Sequence, residues 1–209
     1  MMTPHFDHER AAMALGYVKV AGIDEVGRGP LAGPVTAAAV VLPAGAIPDG
    51  LRDSKQLTPA RRAVLAAQIL AVAEVSIGHA TVAEIDRLNI LQAALLAMER
   101  AATGLVGVDY HLIDGNNIPQ GLRGRAQSLV KGDSLSLSIA AASIVAKVTR
   151  DQIMVDLAQQ HPGYGWDRNA GYPTAEHLAA LKNLGVTPWH RCSFAPVHNI
   201  LWQDKSISP

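Results

Sequence analysis

The sequence is poor in cysteine and has no net charge. Its 209 residues include one cysteine, Cys192, which excludes a disulfide within the chain and a zinc site built on several thiolates. A single thiol is typical of a reducing compartment, so we expect a cytoplasmic protein. Lysine and arginine number 18, as do aspartate and glutamate. Bulk charge therefore does not predict binding to polyanions, although a local basic groove remains compatible with this balance.

Long apolar runs are also missing, and none approaches the roughly 20 residues of a membrane span. The N-terminus, MMTPHFDHER, is polar and carries acids, unlike a signal peptide. We therefore expect no membrane association. Aromatic residues make up 4% of a chain that is 49% hydrophobic, which predicts one core of aliphatic side chains.

Apolar runs and turn residues predict an α/β protein. The expected strands are short apolar or alternating segments at residues 18–23, 35–42, 74–82, 111–114 and 128–130. The expected helices lie at residues 58–73, at 83–102 in two pieces around Asn89, at 134–160, and at 173–184 before Gly185. Small residues at 140–143 indicate a helix that packs closely against another element.

This order of elements predicts a mixed β-sheet flanked by helices, with a helical C-terminal part. We expect residues 1–17 to form a poorly ordered lead-in or short helix. Residues 18–160 would form the main α/β domain, and residues 161–209 a helical extension.

Four acids fall at expected strand-to-loop junctions, where ligands gather in α/β sheets. They are Asp24, Glu25, Asp114 and Asp133. Carboxylates that converge without cations repel one another, whereas a hard ion such as Mg²⁺ or Mn²⁺ prefers oxygen ligands. Four acids without a His or Cys cluster therefore indicate metal-assisted phosphoryl chemistry.

The segment Asp24 to Gly29 allows two interpretations. A regular strand sends Asp24 and Glu25 to opposite faces, so joint metal binding would require the strand to end or twist there. Alternatively, Asp24 is a buried capping acid and Glu25 a surface residue. Likewise, the turn Gly27-Arg28-Gly29 either brings backbone amides close to a ligand, with Arg28 beside a phosphate, or is a plain turn.

Motifs along the chain resemble the ribonuclease HII family. They are IDEVGRGPLAGPV (23–35), DSKQL (53–57), EIDRLNIL (84–91), IDGN (113–116), VKGDSLSLSIAAASIVAKVTRD (130–151), YGWDRNAGYPT (164–174) and HRCSFAPV (190–197). They occur in the family's order and cover nearly the whole chain. The family often has a basic residue at the position of Cys192, so the basic cluster here is thinner, with His190 and Arg191 remaining.

The resemblance implies a ribonuclease H-like fold with a catalytic domain over residues 18–160 and a substrate-binding extension at 161–209. It implies that the four acids are catalytic and hold one or two Mn²⁺ or Mg²⁺ ions. Gly27, Arg28 and Gly29 match the loop that senses a 2′-hydroxyl. Tyr172 matches a tyrosine that stacks at the RNA–DNA junction, and Lys55 is similar to a lysine that meets the phosphate backbone.

The expected function is therefore endonucleolytic hydrolysis of the RNA strand in RNA–DNA hybrids. The substrates would include single ribonucleotides embedded in duplex DNA, cut on their 5′ side, and we expect a monomer. Only the 2′-hydroxyl distinguishes RNA from DNA at one nucleotide, so a tight glycine loop beside a rigid aromatic ring suits this task.

Three alternatives differ from this function. The letters GDSL at residues 132–135 are typical of serine esterases with Ser134 as nucleophile, but the chain has no D-x-x-H pair. A non-catalytic ribonuclease H-like module that only binds nucleic acid would be indicated by a missing acid. A related nuclease acting on DNA junctions would not require the loop and Tyr172 together.

Overall fold

A mixed five-stranded sheet organises the protein. The computed structural model describes residues 3–202. The strands are β1 (Val20–Val26), β2 (Val35–Val41), β3 (Glu74–Ala80), β4 (Tyr110–Asp114) and β5 (Ala126–Leu129), in the spatial order β3-β2-β1-β4-β5. Strand β1 pairs antiparallel with β2 and parallel with β4, and β4 pairs parallel with β5. The predicted mixed α/β sheet is confirmed.

Helices account for about half of the chain. They are α1 (Asp7–Ala14), α2 (Pro59–Val72), α3 (Val82–Leu88), α4 (Ile90–Thr103), α5 (Leu137–Gln160), α6 (Trp166–Asn169), α7 (Ala175–Leu184) and α8 (Ala195–Trp202). Single 3₁₀ turns occur at Ser54–Gln56, Gln120–Leu122 and Gly132–Ser134. Within residues 3–202 no helix combines the length and the apolar character needed to cross a lipid bilayer.

Local signals set several helix ends. The Thr58 hydroxyl accepts a hydrogen bond from the backbone N–H of Arg61, and Pro59 follows at the first helical position of α2. Asn89 adopts a φ of 71°, which separates α3 from α4 as the sequence predicts. Thr174 caps α7, which ends before Gly185.

Other boundaries differ from the prediction. Strand β3 ends at Ala80, because Thr81 and Glu84 form a capping box that begins α3. Strand β5 covers Ala126–Leu129, where it pairs with β4, instead of residues 128–130. The long helix begins at Leu137 instead of Ser134, and α8 follows the helix that was expected to be the last.

Helix α5 packs tightly on β1. A Cβ atom on Gly22 would lie 2.1 Å from the Ser138 carbonyl carbon and 2.3 Å from the Ile139 nitrogen. Ala140, Ala141 and Ala142 are fully buried in the same core. The small residues of α5 therefore mark a close helix–strand contact, as the sequence indicates.

The chain forms two compact units. Among the described residues, one comprises residues 3–26, 36–79 and 94–148, and its core joins β2 side chains to α2 and the first half of α5. The other comprises residues 27–35, 80–93 and 149–202. Its core contains Met154, Leu157, Tyr164 and Trp166.

Candidate functional site

Asp24 and Glu25 lie inside β1 and do not follow it. The antiparallel pairing with β2 continues through Asp24 opposite Ala38 to Val26 opposite Thr36. The expectation that the strand ends at Asp24 is therefore wrong, because pairing with β2 extends it. Asp24 is only 6% exposed, and its Oδ1 accepts a hydrogen bond of 2.7 Å from the Glu25 backbone N–H.

The electrostatics of Asp24 reveal a cluster of carboxylates. Burial raises the pKa of Asp24 well above its usual range, and repulsion from Glu25, Asp114 and Asp133 adds to this effect. A hydrogen bond from the Ser143 side chain acts in the opposite direction. The four acids named from the sequence therefore share one electrostatic neighbourhood. Ser143 was not anticipated, because a serine within an alanine-rich helix gives no distinctive signal.

Asp114 and Asp133 both lie next to Gly132. Asp114 ends β4, and its Oδ1 accepts a hydrogen bond of 2.6 Å from the backbone N–H of Gly132. A Cβ atom on Gly132 would lie 2.6 Å from the Ile139 Cδ1 atom, so the turn cannot take a larger residue without movement. Asp133 follows at 7% exposure. Burial, then repulsion from Asp53 and Asp114, raises its pKa.

A buried glutamate from α1 fixes the segment after Asp133. Glu9 Oε1 accepts hydrogen bonds of 2.6 Å from the Ser136 hydroxyl and 2.8 Å from the Ser138 backbone N–H. Glu9 itself is fully buried. The expected lead-in thus contains a short helix that supports the loop carrying Asp133, and no motif in the sequence indicated this contact.

Lys55 lies close enough to the acids to be influenced by them. Burial lowers the pKa of Lys55, but the carboxylates of Asp53, Asp24, Asp133 and Asp114 outweigh it, so the net shift is upward. Asp53 also caps the 3₁₀ turn by accepting the Lys55 backbone N–H at 2.9 Å. Asp53, in the DSK motif, is thus a fifth acid near the site, and its motif alone did not predict this role.

The donor atoms of this acid cluster suit a hard divalent cation. Four carboxylates, with no thiolate or imidazole among them, match the oxygen preference of Mg²⁺ and Mn²⁺. Within residues 3–202, no three His, Cys, Asp or Glu side chains are already arranged as a set that could hold a metal ion.

The Gly27-Arg28-Gly29 loop belongs to the second compact unit. Gly27 has a φ of 95°, and a Cβ atom there would lie 2.2 Å from the Arg150 Nε atom. Arg150 is fully buried and donates to the carbonyl oxygens of Pro34, Ala32 and Ala170 at 2.9–3.0 Å. Arg28 and Gly29 are exposed.

Tyr172 stands next to this loop. A Cβ atom on Gly29 would lie 3.3 Å from the ring atom Cε1 of Tyr172. The tyrosine is 43% exposed, and its carbonyl oxygen is hydrogen-bonded to His177 Nδ1 at 2.9 Å. The loop and the tyrosine named from the resemblance are therefore neighbours.

The basic residues at the HRCSF motif do not face solvent. His190 is 1% exposed and Arg191 is fully buried, so neither is presented to a phosphate. Burial lowers the pKa of Arg191 to about 9, which leaves the guanidinium protonated at neutral pH. Its hydrogen bonds all end on backbone carbonyls of residues 27–34. Cys192, by contrast, is an exposed thiol.

Comparison with known proteins gives consistent matches. A family model described as Ribonuclease HII matches residues 21–197. A Ribonuclease HII from Cereibacter sphaeroides is 67% identical over 207 residues, covering 99% of this chain and 98% of that protein. A Ribonuclease HII from Paracoccus denitrificans is 59% identical over 209 residues and covers all of both chains.

Solved structures agree with the fold. Ribonuclease H2 from Pyrococcus horikoshii superposes with a TM-score of 0.68 at 26% identity, covering 90% of this chain and 99% of that one. Bst-RNase HIII in complex with Mn²⁺ gives a TM-score of 0.74 at 23% identity, covering 94% and 73%. At that lower identity the second match supports the fold alone.

Proposed function

The chain belongs to the ribonuclease HII family and is a ribonuclease H endonuclease. We propose the following substrate, and the following roles for individual residues in its hydrolysis. The substrate is the RNA strand of an RNA–DNA hybrid, including a single ribonucleotide embedded in duplex DNA. Hydrolysis occurs on the 5′ side of the ribonucleotide and leaves 3′-hydroxyl and 5′-phosphate ends. The esterase and the non-catalytic module are not favoured by these relatives.

The observation that carries the chemistry is the shared electrostatic neighbourhood of Asp24, Glu25, Asp114 and Asp133. We assign these four residues to holding one or two Mn²⁺ or Mg²⁺ ions. When bound, such ions would lower the pKa of the attacking water and offset the negative charge on the leaving oxygen. The all-oxygen donor set supports this choice of ion class.

The protein side chains prepare this site in different ways. The Ser143 side chain lowers the pKa of Asp24 by hydrogen bonding, and the Gly132 amide donates to Asp114 Oδ1, so both carboxylates have a partner within the protein. Asp133 lies in a 3₁₀ turn before α5, and we assign it a role that depends on bound substrate. We assign Lys55, whose pKa these acids raise, to meet a substrate phosphate.

Recognition of the ribose is the second part of the proposal. Gly27 follows Val26 directly, so the loop begins three residues after Asp24 along the chain. Arg28 and Gly29 are exposed residues whose backbone N–H groups would donate to a 2′-hydroxyl, and the adjacent Tyr172 ring would stack at the junction. Stacking of this kind contributes roughly 1–3 kcal/mol. Residues 161–209 thereby contribute to substrate binding.

The biological setting follows from composition. One cysteine supports a cytoplasmic location, and the balanced charge supports modest affinity for generic DNA. We propose that the protein acts there as a monomer on nucleic acid, with specificity coming from the site.

A cleavage assay tests the proposed function. The substrate is duplex DNA with one ribonucleotide, and the control is the same duplex with deoxyribose at that position. We expect one nick on the 5′ side of the ribonucleotide, no nick in the control, no reaction in EDTA, and recovery when Mg²⁺ or Mn²⁺ is restored. Equal cutting of the all-DNA control would contradict recognition of the 2′-hydroxyl, and activity in EDTA would contradict the metal role.

A further inference from the structure

The guanidinium of Arg191 is hydrogen-bonded to several backbone carbonyls of the Gly27–Pro34 segment. It donates six hydrogen bonds of 2.6–3.3 Å to five carbonyl oxygens, those of Gly27, Arg28, Pro30, Gly33 and Pro34. An arginine side chain has five N–H donors in one plane, so this pattern uses its full capacity with one donor shared. A lysine in the same place has three donors on one nitrogen and cannot reach carbonyls on several sides.

The position of Arg191 is itself fixed on both sides. Its backbone N–H donates to the Leu31 carbonyl at 2.8 Å, within the segment that the side chain binds. On the other side, the Asp86 carboxylate accepts the backbone N–H groups of Cys192 at 3.0 Å and Ser193 at 2.9 Å. These backbone hydrogen bonds fix the position of residue 191 relative to the loop.

Peptide geometry turns these contacts into an orientation of the loop amides. In a trans peptide the carbonyl and the following N–H point in opposite directions, and residues 3–202 contain no cis peptide bond. Arg191 draws the carbonyls of Gly27 and Arg28 towards itself. The N–H groups of Arg28 and Gly29 must then point away from the buried guanidinium, and both residues are exposed.

We propose that Arg191 is a positioning residue for ribonucleotide recognition: it holds the Gly27 and Arg28 carbonyls inward so that the Arg28 and Gly29 amides face the 2′-hydroxyl. It does so without contacting the substrate, since the side chain is fully buried. The buried positive charge also favours an electronegative group on the outer side of these amides. This inference rests on the proposed function, in which the loop reads the ribose.

Arg150 provides a matched control. It is equally buried in the same compact unit and donates to three carbonyls, those of Ala32, Pro34 and Ala170. Arg150 packs against Gly27 and shares the Pro34 carbonyl with Arg191, but it does not bind the Gly27 and Arg28 carbonyls. Arg150→Lys therefore perturbs the packing of the loop and leaves those two carbonyls bound to Arg191.

The test compares Arg191→Lys with Arg150→Lys in EDTA, where no cleavage occurs. For each folded variant, Kd is measured for the ribonucleotide-containing duplex and for the all-DNA duplex. The preference of each variant is the Kd for the all-DNA duplex divided by the Kd for the ribonucleotide-containing duplex. We expect Arg191→Lys to reduce this ratio by about tenfold, which corresponds to one lost hydrogen bond, and Arg150→Lys to keep the wild-type ratio. An unchanged ratio in Arg191→Lys, or equal losses in both variants, would overturn the inference.

A measurement on the unmodified protein covers the case in which Arg191→Lys does not fold. Amide signals of Arg28 and Gly29 are followed by ¹⁵N–¹H NMR while each duplex is added in EDTA. We expect larger shifts with the ribonucleotide duplex than with all-DNA, and identical shifts would refute the outward orientation. A wild-type enzyme that cuts selectively while the Arg191→Lys ratio stays unchanged would refute this inference and leave the proposed function standing.

Discussion

Gly27 shows how one position can satisfy two separate demands at the residue scale. Its φ of 95° lies in a region that L side chains rarely adopt, and Arg150 occupies the space where a side chain would go. Gly16 shares the first demand with a φ of 97°, but nothing lies within 4 Å of a Cβ atom placed there. A comparison of substitutions at the two positions therefore distinguishes the cost of a positive φ from the cost of a steric clash.

This pair yields a stability prediction. We expect Gly16→Ala to lower the free energy of unfolding by about 1–2 kcal/mol, the strain of a positive φ. Gly27→Ala should lower it by about 1–3 kcal/mol more, because the new methyl group displaces Arg150. Urea denaturation measures both. Equal losses for the two variants would show that Arg150 moves aside freely and that Gly27 is needed only for its φ.

Residue identities were predicted better than residue surroundings. The four acids, the glycine loop and Tyr172 were named from their motifs, and the structure brings the acids into one electrostatic neighbourhood and the loop beside the tyrosine. The environment of Arg191 was not predictable in this way. A sequence shows that a residue is basic, whereas its burial against the loop arises only from long-range packing.

At the scale of elements, boundaries with local causes were predicted and those set by a partner were not. Thr58 acts through its hydroxyl on the next turn and Asn89 through its own positive φ, so these local signals mark the start of α2 and the break between α3 and α4 from sequence alone. Strand β1 instead runs to Val26 because Val26 pairs with Thr36 of β2. That pairing places Asp24 within a strand, which neighbouring sequence cannot reveal.

Helix α7 is connected to the HRCSF motif by two neutral histidines. His190 Nδ1 accepts the Thr187 backbone N–H at 2.9 Å, so His190 donates from Nε2 to His177 Nε2 at 3.1 Å. His177 then donates from Nδ1 to the Tyr172 carbonyl. A proton added to either ring would set two N–H groups against each other. Burial and the neighbouring His177 lower the pKa of His190 to about 4.

This pair predicts a loss of stability in acid. An unfolded histidine titrates near pH 6.5, so between about pH 6.5 and 4 the unfolded state binds a proton at His190 that the folded state does not. The contribution vanishes above that window and reaches roughly 3 kcal/mol of destabilisation below it. Urea unfolding from pH 7 to pH 4 should therefore show a smaller pH dependence in His190→Gln than in the wild type.

The exposed His198 supplies the control for this series. His198→Gln should keep the wild-type pH dependence of the unfolding free energy. A His190→Gln variant with the full wild-type dependence would contradict the assignment of His190 as a neutral buried ring.

At the scale of the whole molecule, the proposed chemistry and the proposed recognition of the ribose belong to different compact units. The acids that would hold the ions all lie in the unit that contains residues 3–26, whereas the loop, Tyr172 and Arg191 lie in the unit that begins at Gly27. The peptide bond between Val26 and Gly27 is one of five points at which the chain passes from one unit to the other. With no net charge to hold generic DNA, we propose that selection of the substrate depends on the loop.

The most direct test of this division is the behaviour of Asp24→Asn, which removes a charge and keeps the shape of the side chain. Its cleavage rate and its Kd in EDTA are measured on two duplexes that differ by one 2′-hydroxyl. We predict that cleavage falls by at least about 10²-fold while the ratio of the two Kd values stays at the wild-type level. Normal cleavage, or a ratio that collapses together with cleavage, would contradict the division of the reaction between the acids and the loop.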